Sequence, residues 1–228
     1  MTLNEHTVRA FDADIAGLRR TVAEMGGLAA RQFRHAIDAL LTGDAAAVER
    51  VLADERLVDT LHVRIDDQCG RIIALRQPIA VDLREVIGAI HTIADFARIG
   101  DESTKIALKA RGFDRSDPSA PIQRIAGMAA RAGGMLDRAI DAFVRRDVRI
   151  AVELGATDDE VDALRDELVA ALADRMRAGS AQIRPSLDLV MVVQSIERVA
   201  DHAENVAEYI VNVVQGVDMR HGNLPAAA

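Results

Sequence analysis

The sequence predicts an all-α protein built as two tandem three-helix bundles, with six helices in total. Apolar residues recur at helical spacing along nearly the whole chain. Half of the residues are hydrophobic and Trp is absent, so the core is expected to be aliphatic, as in helical bundles. The second half of the chain also repeats the pattern of the first half, which points to one structural unit used twice.

Five interruptions divide the chain into these six helices. They contain the Gly, Pro, Ser and Asp residues that are typical of turns and helix N-caps. The interruptions are LTGD at 41–44, RQP at 76–78, RGFDRSDPSAP at 111–121, RRD at 145–147 and AGSAQIRP at 178–185. Asp44 and Asp147 each precede a new helix, and we predict both as N-caps.

The internal repeat is visible in three pairs of segments. Two pairs are related by a shift of 103 residues: HAIDALLTGD at 35–44 with RAIDAFVRRD at 138–147, and ADERLVDTL at 53–61 with ATDDEVDAL at 156–164. The third pair is related by a shift of 100 residues, RIGDESTKIA at 98–107 with RVADHAENVA at 198–207. A three-residue change of this kind falls near an inter-helix turn, where insertions and deletions are tolerated.

Domain boundaries follow from the repeat. We predict a first three-helix repeat over residues 1–112 and a second over residues 118–217. The remaining residues, 218–228, contain GNLPAAA and are expected to be a frayed tail.

Composition and charge exclude several classes of function. The net charge of -8 disfavours a general electrostatic attraction to nucleic acid or anionic lipid. No uncharged apolar run approaches the ~20 residues of a membrane span, and the N-terminus lacks an apolar signal-peptide segment. The single Cys69 cannot form an intrachain disulfide and suits a reducing compartment. We therefore expect a cytoplasmic protein that binds no nucleic acid and does not insert into the membrane.

Pairs of acidic residues one helical turn apart recur at equivalent places in the two repeats. They begin beside apolar stripes, where an unpaired carboxylate is costly. The candidate residues are Glu55, Asp59 and Asp101 in the first repeat, and Asp158, Asp162, Glu197 and Asp201 in the second. Ala97 stands where the first repeat would carry the counterpart of Glu197.

Two explanations of these acids remain open from spacing alone. Four carboxylates on two facing helices repel one another, and a bound cation would stabilise them. Oxygen ligands suit Mg²⁺, Mn²⁺, Ca²⁺ or iron. Alternatively, an ion-pair network supplies the positive charge, through Arg56, Arg165 or Arg198.

IADFARIGDESTKIA at 93–107 and SIERVADHAENVAEYI at 195–210 resemble the recurring D-L-E-R-I-G-D-x-A-x-N-I segment of the PhoU family. The resemblance extends over roughly residues 10–215. It implies a multinuclear metal cluster on each bundle, usually of iron or zinc, held by the seven acids named above. His202, which follows Asp201, is a candidate ligand or supporting residue, and Asn205, which matches the family pattern, is a candidate supporting residue that could bond a neighbouring helix. Ala97 departs from the family pattern and leaves three carboxylates in the first repeat.

By the same resemblance, the function is regulatory and not enzymatic. PhoU-like proteins restrain the phosphate-starvation response, acting between the phosphate ABC transporter and a membrane histidine kinase. We therefore expect a homodimeric adaptor that reaches the inner membrane only through its protein partners. Two alternatives are a ferritin-like di-metal carboxylate enzyme and a purely structural helical scaffold. The enzyme is disfavoured because the chain contains no E-x-x-H motif of the type such enzymes use.

Overall fold

The computed structural model describes residues 3–118 and 120–217. The predicted all-α class is confirmed, and within these residues the structure contains no strand. The six α-helices, with one short 3₁₀ turn at Ser180–Gln182, are α1 Leu3–Thr42, α2 Ala45–Arg76, α3 Ala80–Ala110, α4 Ile122–Arg145, α5 Val148–Ala178 and α6 Ile183–Gln215.

The helix boundaries fall at the predicted interruptions. Asp44 accepts a hydrogen bond from the Ala46 N–H at 2.8 Å, and Asp147 accepts one from the Arg149 N–H at 3.0 Å. Both aspartates are therefore N-caps, as predicted. The last interruption is shorter than its sequence suggests, because α6 already begins at Ile183. Pro185 lies in the first turn of that helix, where the missing N–H removes no intrahelical hydrogen bond.

Each unit has three helices that pack on one another. Helices α1, α2 and α3 form the first unit, and α4, α5 and α6 form the second. In the described part of the chain, α2 and α5 contact only helices and turns of their own unit, whereas α1 packs on α4 and α3 packs on α6. The buried core is mainly Ala, Leu, Ile, Val and Met, and each large aliphatic side chain in it contributes about 1.5–3 kcal/mol.

The two units are joined mainly by antiparallel packing of α3 and α6. Lys109, at the end of α3, contacts Asp188 near the start of α6, at 2.7 Å. At the other end of the contact, the ring of His91 stacks on that of Tyr209, with centroids 5.1 Å apart. The acid-bearing third helix of each unit is therefore also the helix that makes the larger contact with the other unit.

Two features complete the description of the fold. Of the helices within the described ranges, none combines the length and the apolar character needed to cross a bilayer. The tail predicted over residues 218–228 lies outside the described residues, and the exact boundaries of the two repeats stay a prediction.

Candidate metal centre in the second unit

Three of the predicted carboxylates come together between α5 and α6. Asp162 projects from α5, while Glu197 and Asp201 project from successive turns of α6. One oxygen from each of the three lies within 4.8 Å of the others, and all three side chains are partly buried. Among the described residues, no other group of three or more acids, His or Cys has this geometry.

The electrostatics of this cluster disfavour full ionisation. Burial raises the pKa of Glu197, and the charge of Asp201 raises it further. Burial likewise raises the pKa of Asp201, with the charge of Asp162 adding to the effect. The carboxylates thus hold negative charge that their surroundings do not neutralise.

Arg165 is the one arginine of the proposed ion-pair network that contacts these acids. Its Nη1 lies 2.9 Å from Glu197 Oε1, and its Nη2 lies 3.7 Å from Asp162 Oδ1. Arg198 instead points across to Glu102 in the first unit, at 3.4 Å. The single positive charge of Arg165 does not balance the charges of Asp162, Glu197 and Asp201, in agreement with the raised pKa values of Glu197 and Asp201.

Asp158 lies beside this group, next to an acid that was not among the candidates. Burial and the charge of Glu204 raise the pKa of Asp158 to about 7. Burial also raises the pKa of Glu204 itself. A Cβ placed on Gly155 would lie 3.0 Å from Glu204 Oε1, so the absence of a side chain at Gly155 lets Glu204 approach α5.

A sequence signal for Glu204 did exist. Glu197, Asp201, Glu204 and Glu208 follow one another along α6 at spacings of 4, 3 and 4, which places four acids on one face. Comparison of the repeats does not identify Glu204 as a candidate, because the equivalent residue in the first unit is Thr104, which is not acidic.

The donor set fits a hard cation. Three partly buried carboxylate oxygens within 4.8 Å of one another, with Asp158 and Glu204 alongside, form an oxygen-rich site. Such ligands suit iron, Mn²⁺, Mg²⁺ or Ca²⁺, and a cation would relieve the repulsion that raises the pKa values. His202 contributes no nitrogen to the group of three, and its Nδ1 lies 2.8 Å from Asp95 Oδ1 on α3.

His202 and Asn205 both contact the first unit. Asn205 Nδ2 donates to the same Asp95 oxygen at 3.4 Å. Asp95 is buried, so this contact ties α6 to α3 directly beside Asp201. The repeat shift of 100 residues relates Asp95 to Ser195 and His202 to Glu102. These two equivalents are also in contact, since Ser195 Oγ donates a hydrogen bond to Glu102 Oε2 at 2.7 Å. The proposed support of the metal ligands by His202 and Asn205 stays a prediction.

The first unit arranges its candidate acids differently. Asp59 and Asp101 are exposed, and only Glu55 is partly buried. Glu55 accepts hydrogen bonds from the Gln32 amide and from Thr104 Oγ1. Burial is the main cause that raises the pKa of Glu55. The structure therefore does not gather Glu55, Asp59 and Asp101 into a compact oxygen cluster.

The fold and this site define a class of repeat protein: all-α, with two three-helix units and an acidic cluster between two helices of one unit. The model of the PhoU domain matches the chain twice, over residues 22–110 and 125–210. The chain therefore belongs to the PhoU family, and the double match agrees with the predicted tandem repeat.

Relatives and solved structures agree with this assignment. A phosphate-specific transport system accessory protein PhoU homolog from Burkholderia sp is 33% identical over 96% of this chain and 94% of its own length. The accessory protein PhoU of Escherichia coli K12 is 34% identical over 97% of this chain and 92% of its own. The crystal structure of PhoU from Pseudomonas aeruginosa is 30% identical, with a TM-score of 0.86 over 91% of this chain and all of that chain.

Proposed function

We propose that this protein is a metal-dependent regulatory adaptor of phosphate uptake, which restrains the phosphate-starvation response when phosphate is plentiful. The observation that carries the proposal is the similarity, over nearly the whole chain, to proteins named as accessory to phosphate-specific transport. The proposed partners are the phosphate ABC transporter and a membrane histidine kinase, contacted from the cytoplasm. The expected homodimer stays a prediction.

In this proposal the metal is held by the second unit. Asp162, Glu197 and Asp201 supply the ligands, with Asp158 and Glu204 next to them. A bound cation would draw α5 and α6 together, and its loss would let the acids repel and loosen these two helices. Helix α6 also packs on α3, so the helix that carries two of the ligands takes part in the contact between the units as well.

A deletion strain tests this function. Removal of the gene should raise the output of phosphate-starvation genes in phosphate-rich medium, and the parent gene should restore repression. The combination Glu197→Ala with Asp201→Ala should fail to restore it. The matched control is Asp137→Ala with Asp141→Ala, two exposed acids one turn apart on α4, and it should complement fully.

The two parts of the proposal can fail separately. If the deletion leaves starvation-gene output and phosphate uptake unchanged, the regulatory role is wrong. If the strain carrying Glu197→Ala with Asp201→Ala represses as well as the parent, regulation does not need the cluster.

A further inference from the structure

The pair of Asp158 and Glu204, which lies beside the acidic cluster, has a different counterpart in the first unit, where an amide lies between the helices. Gln32, on α1, is completely buried. Its Nε2 donates to Glu55 on α2, to the Gly100 carbonyl oxygen at 3.2 Å and to Thr104 Oγ1 at 3.2 Å on α3. Thr104 Oγ1 in turn donates to Glu55 Oε2 at 3.2 Å. One side chain thus joins all three helices of the unit at the partly buried Glu55.

The positions equivalent to Gln32 and Thr104 differ in the second unit. The repeat shifts place Met135 opposite Gln32, and Glu204 opposite Thr104. Met135 is buried and has no hydrogen-bond donor, so it cannot replace the amide. The second unit therefore has more carboxylate and no neutral donor at these two positions, whereas the first unit has two neutral donors.

The backbone of α3 also favours the amide. A Cβ on Gly100 would lie 2.9 Å from Glu55 Oε2 and 3.0 Å from Gln32 Oε1. The missing side chain lets Glu55 and Gln32 pack directly against the helix. Ala200 is the equivalent residue in the second unit, where this close contact is not needed.

We infer that the first unit is held together without metal, because the Gln32 amide, and not a cation, joins α1, α2 and α3 at Glu55. The inference rests on the proposed metal site of the second unit, since it makes that site the single metal centre among the residues that the structure describes. Two other features of the first unit agree with it. Asp59 and Asp101 remain in solvent, and Ala97 supplies no ligand.

Metal binding by the whole chain tests the inference. Mn²⁺ is titrated into the chelator-treated parent, Asp101→Ala and Gln32→Met, and bound ion is measured by equilibrium dialysis and electron paramagnetic resonance. Both variants should bind as much Mn²⁺ as the parent, with affinity unchanged within about twofold. A loss of bound Mn²⁺ in either variant would place a metal in the first unit and overturn the inference.

Thermal unfolding tests the role of the Gln32 amide even if the parent binds no Mn²⁺. Failure of the parent to bind Mn²⁺ would count against the proposed metal site but not against the role of the amide. Gln32→Met should lower Tm by roughly 3–8 °C, because the partly buried Glu55 loses a donor. The loss should be the same in excess chelator and in excess Mn²⁺. Met135→Leu, the control at the equivalent position, should change Tm much less.

Two results of the Tm measurements would contradict the inference. A Tm for Gln32→Met equal to that of the parent would mean that the amide does not hold the unit together. A loss that Mn²⁺ reverses would mean that a cation enters the same place. Gly100→Ala is a second variant, which crowds Glu55 and Gln32 without altering charge, and it should lower Tm in the same metal-independent way.

Discussion

The two units each place an acid from the second helix against the third helix, and they surround it with different side chains. In the first unit, Glu55 meets two neutral donors, Gln32 and Thr104. In the second, Asp158 meets a further acid, Glu204, and its pKa rises to about 7. A tandem repeat can thus keep one backbone arrangement while a few substitutions decide whether a carboxylate meets neutral hydrogen-bond donors or further acids.

Removal of metal gives the largest expected difference between the units. If the proposed metal binds, a free concentration about 100-fold above Kd would stabilise the chain by about 2.7 kcal/mol, which corresponds to a Tm shift of roughly 5–10 °C. A chelator should therefore lower the Tm of the parent by that amount. In Glu197→Ala with Asp201→Ala most of the shift should disappear, as measured by calorimetry.

The paired control for this measurement is Asp59→Ala with Asp101→Ala, the exposed acids of the first unit. It should keep the full chelator sensitivity of the parent. Equal loss of sensitivity in the two double variants would remove the distinction between the units.

The contact between the units should be independent of metal. Asp95→Ala leaves His202 and Asn205 without their buried acceptor, so unfolding should become easier by about 1–3 kcal/mol. Urea denaturation with and without metal measures this change, which should be the same in both. A loss that appears only with metal bound would mean that Asp95 acts on the cluster itself.

Proton binding offers a third distinction. The pKa of Asp158 is raised from 3.8 to about 7 in the folded chain, so the folded state binds the proton more tightly than the unfolded state does. The resulting stability is present below the unfolded pKa and is lost as pH rises through about 7. In chelator, Tm should therefore fall by a few degrees between pH 5 and pH 8.

Asp158→Asn should reduce this pH dependence, because the amide does not ionise. The raised pKa values of Glu197, Asp201 and Glu204 keep part of it. Asp137→Asn, an exposed acid on α4, should leave it as steep as in the parent. A parent whose Tm rises over the same pH range, with the same slope in Asp158→Asn, would refute the assignment to Asp158.

The smallest effect is expected at Gly155. Gly155→Ala places a Cβ about where Glu204 approaches α5, so it should push that carboxylate away from Asp158. Mn²⁺ affinity should fall about three- to tenfold, or about 0.7–1.4 kcal/mol. Gly134→Ala, at an open position on α4, should leave the affinity unchanged. If both glycine variants bind Mn²⁺ like the parent, Glu204 does not take part.

The sequence was sufficient for the helices and for part of the site. Gly, Pro and Asp mark the turns, and the capping contacts of Asp44 and Asp147 are local, so they follow from the neighbouring residues alone. The grouping of Asp162, Glu197 and Asp201 also follows, because helical spacing and the repeat place them on facing helices.

Other parts of the site needed the packed structure. Gln32 does continue the buried spacing of α1, after Met25 and Ala29, and a polar residue on such a stripe signals a buried hydrogen bond. Its partners, however, come from two other helices. The contact of His202 with Asp95 depends on the antiparallel packing of α3 on α6, which no local pattern specifies.

Hydrogen–deuterium exchange of the whole chain, with and without chelator, tests the difference between the units most directly. Metal removal should speed exchange in α5 and α6 around Asp162 and Asp201, because the unneutralised acids repel. Exchange in α2 and α3 around Glu55 should stay unchanged, since the Gln32 amide holds that place. Equal acceleration in both pairs of helices, or none in either, would contradict the account.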